Sequence, residues 1–139
     1  MAKHKLFFEA EYDFDLIGIC CSHSDYRLCW AINNDLNINL SKGDDYFLKN
    51  KKDGEYYFSF YEFFDEDIHQ SYYLIKNLSF DNYKRLIPEQ DQIDYFFIIK
   101  DNYDLKINDF LTELKKIDCI LTAFEFEAEQ LKSKSNLLF

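Results

Sequence analysis

"EYYFSFYEFFDEDIHQSYYLIKN", residues 55–77, decides the fold. Its two aromatic, β-prone halves, EYYFSFYEF and QSYYLIKN, read as strands. The polar DEDIH between them reads as a solvated turn. Two strands joined so closely form an antiparallel hairpin. Just upstream, NKKDGE carries Asp53–Gly54, a further turn signal. The middle of the chain is therefore dense in strands.

Working outward, the flanks supply helices and the outer strands. FEAEYDFDL, residues 8–16, alternates without a break, with Glu9, Glu11, Asp13 and Asp15 opposite the apolar set. That period predicts a half-buried strand. LIGICC carries it to about Cys20, with Gly18 at a bend or bulge. SHSDYRLCWAINNDLNINL then changes period. Leu28, Cys29, Ile32 and Leu36 fall at helical spacing behind a Ser24 or Asp25 cap, which predicts a helix at about 25–37. Downstream, DYFFIIK (94–100) reads as a buried strand. Phe110, Leu111, Leu114 and Ile117 predict a helix at about 107–117, with Asn108 as its cap. Alternation returns at the end: Phe124, Phe126 and Ala128 oppose Glu125, Glu127 and Glu129. The order implies a single α+β domain over 1–139, mainly antiparallel sheet, with both helices packed on one face. The strand-rich middle departs from the ferredoxin-like βαββαβ order. The apolar end of KSKSNLLF, 132–139, is expected to dock on the body.

Composition limits the function. A chain of 139 residues buries about 70% of its unfolded surface, enough for a core without staples. The net charge is −10, and the one dense basic cluster is Lys49–Lys51–Lys52. Polyanion binders need clustered Lys and Arg, so neither nucleic acid nor an anionic membrane surface is expected as a partner. No secretory signal pattern is visible, and no apolar run approaches the ~20 residues of a membrane helix. The expectation is a cytoplasmic protein with Cys20, Cys21, Cys29 and Cys119 as free thiols.

Candidate chemistry is thin. Cys20, Cys21 and His23 could begin a metal site, but a second ligand pair is missing and adjacent strand residues point to opposite faces. Small buried hydrophobes are the plainer reading. The two acidic rows could share a cation or a basic partner if their strands lie side by side; a solvated strand face is the plainer reading. Whether those strands are neighbours is left open by the sequence. Asp65, Glu66 and Asp67 stand near His69, and a metal there would need ligands from elsewhere. Trp30 could anchor a partner and Arg27 could hold an acid, although a capped helix with Trp30 in the core is preferred. The aromatic run 56–64 packs the core, and any exposed remainder suits a protein interface. No nucleotide, nucleophile-elbow or metalloprotease motif occurs. These readings lean away from an enzyme and require no cofactor. They favour a domain that binds another protein or itself. The alternative is a metal- or small-ligand-dependent activity at the acidic faces or at Cys20, Cys21 and His23.

The only proline lies in IPEQDQIDY, 87–95. Pro88 removes a backbone donor and delays the following strand, Ile87 can plug the core, and Glu89 can accept bonds from backbone or Arg85. Asp94 and Tyr95 then open the buried strand. LIPEQDQIDYFFIIK resembles the signature of the IPExxxDY family, small proteins of the Bacteroidetes. DFDLIGICCSHSDYRLCWAINNDL and LTAFEFEAEQLKSKSNLLF resemble the same family, so the likeness spans nearly the whole chain. Four residues, Gln90 to Ile93, separate Glu89 from Asp94, where the family's name counts three. The resemblance implies a bacterial cytosolic single domain and brings no assigned activity. The candidate interaction or signature positions are Asp25, Tyr26, Arg27, Trp30, Pro88, Glu89, Asp94 and Tyr95.

Overall fold

A computed structural model describes residues 12–52 and 54–137. The strands are β1 (Asp15–Cys20), β2 (Ser41–Lys42), β3 (Tyr46–Asn50), β4 (Gly54–Phe58), β5 (Phe60–Asp65), β6 (Gln70–Lys76), β7 (Tyr95–Lys100) and β8 (Thr122–Phe126). The helices are α1 (Asp25–Leu36) and α2 (Ile107–Lys115). Six strands form one antiparallel sheet in the order β2-β5-β6-β7-β1-β8, and β3 and β4 form a separate hairpin. The fold is α+β, as the element order predicts.

Both helices lie on one face. Leu28, Cys29 and Ile32 of α1 and Phe110 and Leu114 of α2 close over Ile17, Ile19, Leu74, Tyr95, Phe97 and Ile99 of the sheet. Ser24 caps α1 by accepting from the Arg27 amide at 3.3 Å, and Asn37 ends it in the left-handed region at φ 58°. Asn108 lies inside α2 and caps nothing; Asn102 organises that entry instead, accepting from the Leu105 amide at 2.9 Å. Strand β7 is buried on both faces, which explains its continuous apolar run.

Among the described residues the second face has no α-helix. The β3–β4 hairpin, the 86–93 loop and the C-terminal turns cover it, so that Phe58, Leu86, Ile87, Ile93, Ala128, Leu131 and Leu137 pack on Leu16, Ile75, Phe96 and Ile98. The docking expected of the chain end is thus seen at Leu137; Leu138 and Phe139 lie outside the described residues.

Several expectations are corrected. EYYFSFYEF is two strands in two sheets, because buried Ser59 breaks it; the Ser59 carbonyl accepts from the Lys76 amide and its hydroxyl turns to Asp25. Gly18 lies in regular pairing with Phe96 and Phe124, with no bulge. A Cβ there would sit 2.5 Å from Phe126 Cε2 and 3.0 Å from Ile93 Cδ1, so this glycine provides room for close packing. The alternating strand begins only at Asp15: residues 12–14 are outside it, and Glu9 and Glu11 lie outside the described residues. At the other end β8 stops at Phe126, and Glu129 sits in a 3-10 turn, Ala128–Gln130. Strands β1 and β8 are neighbours, paired from Leu16–Phe126 to Cys20–Thr122. Asp15 lies just before that ladder, Glu125 sits within it opposite Ile17, and Glu127 lies beyond its end. Asp15 accepts from Asn102 Nδ2 at 2.9 Å, while Glu125 and Glu127 are exposed.

Candidate interaction surface

The IPEQDQIDY stretch is held by its polar atoms. Pro88 opens a 3-10 turn, Pro88–Gln90, whose first residue lacks only an amide that the turn leaves unused. Asn77, fully buried, reaches into the loop. Its Nδ2 donates to the carbonyls of Gln90 at 3.0 Å and Ile93 at 2.7 Å, and its Oδ1 accepts from the Ile87 amide at 2.9 Å. Glu89 accepts from the Ser133 amide at 2.7 Å and hydroxyl at 2.8 Å, so the C-terminal turn, and not Arg85, is its partner. Burial would raise the Glu89 carboxyl, but the Ser133 bonds outweigh it and hold it below the usual range. Asp94 accepts from the Cys21 amide at 2.8 Å, and Tyr95 donates to the His23 carbonyl at 2.7 Å. Glu89, Asp94 and Tyr95 thus tie this stretch to the chain end and to the end of β1.

Asp25 performs a similar task at the start of α1. It accepts from the Tyr26 amide at 2.8 Å and from the hydroxyls of Ser59 and Tyr61. Burial would raise its carboxyl; these donors, with Lys76 nearby, bring it below the ordinary value. Burial and the Asp25 charge together push the Tyr61 and Tyr95 hydroxyls up, so both remain protonated donors. Asp25 therefore clamps the Ser59 break against the helix.

Cys20 and Cys21 join opposite cores, and all four cysteines are free. Burial, with Cys119 and Asp94 adding, pushes the Cys21 thiol up to about 11. Burial and Asp25 likewise push Cys29 up to about 11. Neither is a thiolate near neutral pH, so neither is an activated nucleophile. Among the described residues no three His, Cys, Asp or Glu side chains stand together as a metal site.

What the fold leaves outside is aromatic. Trp30 is 62% exposed, against the core position expected of it, and Tyr26 is 74% exposed. Arg27 and Trp30 share a cleft of about 220 Å³ with Ala31, Asp35, Asp118 and Cys119. A second group of exposed rings lies on and beside the β3–β4 hairpin. Phe47 and Tyr57 face each other across the β3–β4 hairpin with ring centroids 5.2 Å apart. Phe80 joins them, its amide donating to the Tyr57 carbonyl at 3.0 Å while its ring is 60% exposed. Lys42 Nζ lies 5.8 Å from the Phe80 ring centre and 5.5 Å from that of Tyr61, linking the hairpin to the Asp25 clamp. Of the sequence candidates, the structure groups Asp25, Asp94 and Tyr95 near the end of β1 and places Arg27 and Trp30 on the outer side of α1. Pro88 and Glu89 lie on the opposite face. Tyr57 was not individually legible, because in the almost wholly aromatic run 56–64 alternation does not say which ring points out; Phe47 and Phe80 were not legible either, Phe80 lying in a stretch with no period.

Comparison of the chain with models of known protein families found no match, and comparison with curated proteins found none either. No helix among the described residues is long and apolar enough to cross a membrane.

Proposed function

We propose that the chain is a non-enzymatic protein-binding domain of the family its IPEQDQIDY stretch resembles, working in the bacterial cytoplasm. The observations that support this reading are that Phe47 and Tyr57, in ring contact, are exposed, and that Phe80, tied to Tyr57 through the backbone, exposes its ring with Lys42 beside it. Exposed aromatic area is retained against the solvation cost of leaving it wet, and contiguous patches of it mark binding faces. Aromatic side chains with a cation at the rim are also the composition of interface hot spots. By contrast Glu89, Asp94 and Tyr95 make their hydrogen bonds inside the fold, which supports a structural part for them.

The test is cross-linking of the purified chain to its partners in cells, read by mass spectrometry, for wild type and for Tyr57→Ser with Phe80→Ser. The expected result is a specific cross-linked partner lost in the double variant, with the thermal midpoint unchanged. An unchanged set of cross-links in a folded double variant would refute the reading.

A further inference from the structure

Beside the helices, the β5–β6 end of the sheet opens into two adjoining cavities that share Tyr72 and Leu105 as walls. One, of about 280 Å³, is lined by Leu36, Ile38 and Phe63 and by the carboxylates of Asp65, Asp109 and Glu113. The other, of about 290 Å³, is bounded by Ile68, Gln70, Tyr103 and Asp104. No Lys, Arg or His lines either cavity among the described residues. Asn102 fixes the loop that forms one wall, donating to the Leu105 carbonyl and accepting from the Leu105 amide, both at 2.9 Å.

Gln70 is the side chain that points to a ligand. It is only 3% exposed, and Asp65 stands opposite it in the β5–β6 ladder. Its Nε2 donates to the Tyr72 hydroxyl at 2.7 Å, while its Oε1 accepts from none of the described residues. A buried amide oxygen without a donor carries a desolvation cost that a ligand's donor would remove. The acids around it set the sign of that ligand. Asp65, Asp104 and Asp109 form no ion pair among the described residues. Asp65 accepts only from the Asp67 amide, at 3.1 Å. Glu113 contributes less, since Lys116 Nζ lies 3.4 Å from it, and Asp109 is partly accounted for by its place in the first turn of α2.

The chemistry of the cavities selects an occupant. The oxygens they offer, from Gln70, Asp65 and Asp104, are all acceptors. A guanidinium is a planar fork of donors that is always charged and more weakly hydrated than an ammonium, so it satisfies several acceptors beside apolar walls. Its apolar stem packs along such walls, here Phe63 and Leu105. The rim argues for a polypeptide as the source. Tyr103 is 80% exposed and Ile68 is exposed beside it, which gives contact area to the neighbours of an arginine that a free small cation lacks. The net charge of −10 also steers basic segments toward the molecule. We propose that these cavities take an arginine side chain from an exposed basic segment of another protein, with Gln70 Oε1 and the Asp65 carboxylate as its acceptors. The site lies apart from the exposed rings of the β3–β4 hairpin and stands or falls independently of them.

Fluorescence anisotropy of a labelled, end-blocked peptide of alternating Leu and Arg, titrated with the full chain at about 0.1 M salt, tests this. We expect saturable binding, and weaker binding of the matching Leu/Lys peptide. Gln70→Leu leaves the net charge at −10 and should weaken the Leu/Arg peptide at least ~tenfold, because it removes a neutral acceptor from a charged donor. Net charge is controlled by two double variants. Asp65→Asn with Asp104→Asn and Glu125→Gln with Glu127→Gln each take it from −10 to −8, since each change removes one negative charge. Glu125 lies on β8, at the far edge of the sheet, and Glu127 just beyond it. The first pair should weaken binding at least ~threefold more than the second. Far-UV circular dichroism confirms that each variant is folded; if Gln70→Leu is not, the acid pair decides. Absence of saturation, equal affinity for the Leu/Lys peptide, wild-type affinity in a folded Gln70→Leu chain, or equal losses in the two double variants each overturns the proposal. So does agmatine binding as tightly as the peptide, which would assign the cavities to a small free guanidine.

Discussion

Asn77 and Phe80 are three residues apart and invert the usual rule in opposite directions. Asn77 is a polar side chain with no exposure, and Phe80 is an aromatic one with 60%. The difference lies in what each does for the fold. All three bonds from Asn77 go to the backbone of the Pro88 loop, so its burial is fully compensated. Phe80 contributes an amide bond to Tyr57 and leaves its ring in water. A buried polar group that is completely satisfied is architecture. An exposed ring that the core does not use is available to something else. Stability measurements can break this division.

The largest effect belongs to Asn77→Ala. The Ile93 carbonyl and the Ile87 amide would lose this buried partner, the Gln90 carbonyl would keep only the Ile93 amide, and the deleted side chain would leave a void. A loss of about 3–5 kcal/mol is expected from urea unfolding. A loss below ~1 kcal/mol would mean that water enters the loop, and the architectural reading of Asn77 would fail.

Gly18→Ala comes next, at about 1–3 kcal/mol. Its new methyl would meet Phe126 Cε2 at 2.5 Å, a side-chain clash that can relax in part. Adding Phe126→Leu should recover much of the loss. Lack of recovery would place the strain at Ile93 or the backbone.

A smaller effect is read against pH. The folded Glu89 carboxyl lies below its unfolded value, so its contribution is present above the ordinary carboxylate pKa and is lost as pH falls through the folded one. Asp25 has the same sign. Glu89 is largely exposed, so solvent screening leaves only a few tenths of a kcal/mol. Wild type should lose stability more steeply than Glu89→Gln as pH falls below about 5. Parallel curves would show that Ser133 holds the chain end without help from the charge.

The sequence carries the sheet, both helices and the α+β class because periodicity reports burial directly, as at Leu28, Cys29 and Ile32. It does not carry the second face. That layer is made of irregular segments, and Leu86, Ile87, Leu131 and Leu137 reach it from loops without a repeat. Ser59 shows the same limit: one small residue in an unbroken aromatic run divides two sheets, and only Asp25, 34 positions away, explains why. Trp30 was misplaced because helical spacing gives the buried stripe, here Leu28, Cys29 and Ile32, and position 30 falls outside it. The role of Glu89 was legible as an acceptor beside a proline, but its partner at Ser133 depends on the tertiary path of the chain end.

The smallest stability effect is the most decisive one for function. Phe80→Ser and Tyr57→Ser remove ring area that is already 60% and 44% exposed, and neither change touches the backbone bond between the two residues. Each should change unfolding free energy by no more than about 0.5 kcal/mol, the range of ordinary surface substitutions. The Phe47–Tyr57 ring contact adds a little to the Tyr57 figure. If both variants are instead destabilised by ~2 kcal/mol or more, the aromatic rings support the hairpin and the contrast with Asn77 collapses. If both are neutral, the fold has no use for these rings. The rings are then free of a structural task and remain available to the partner proposed above.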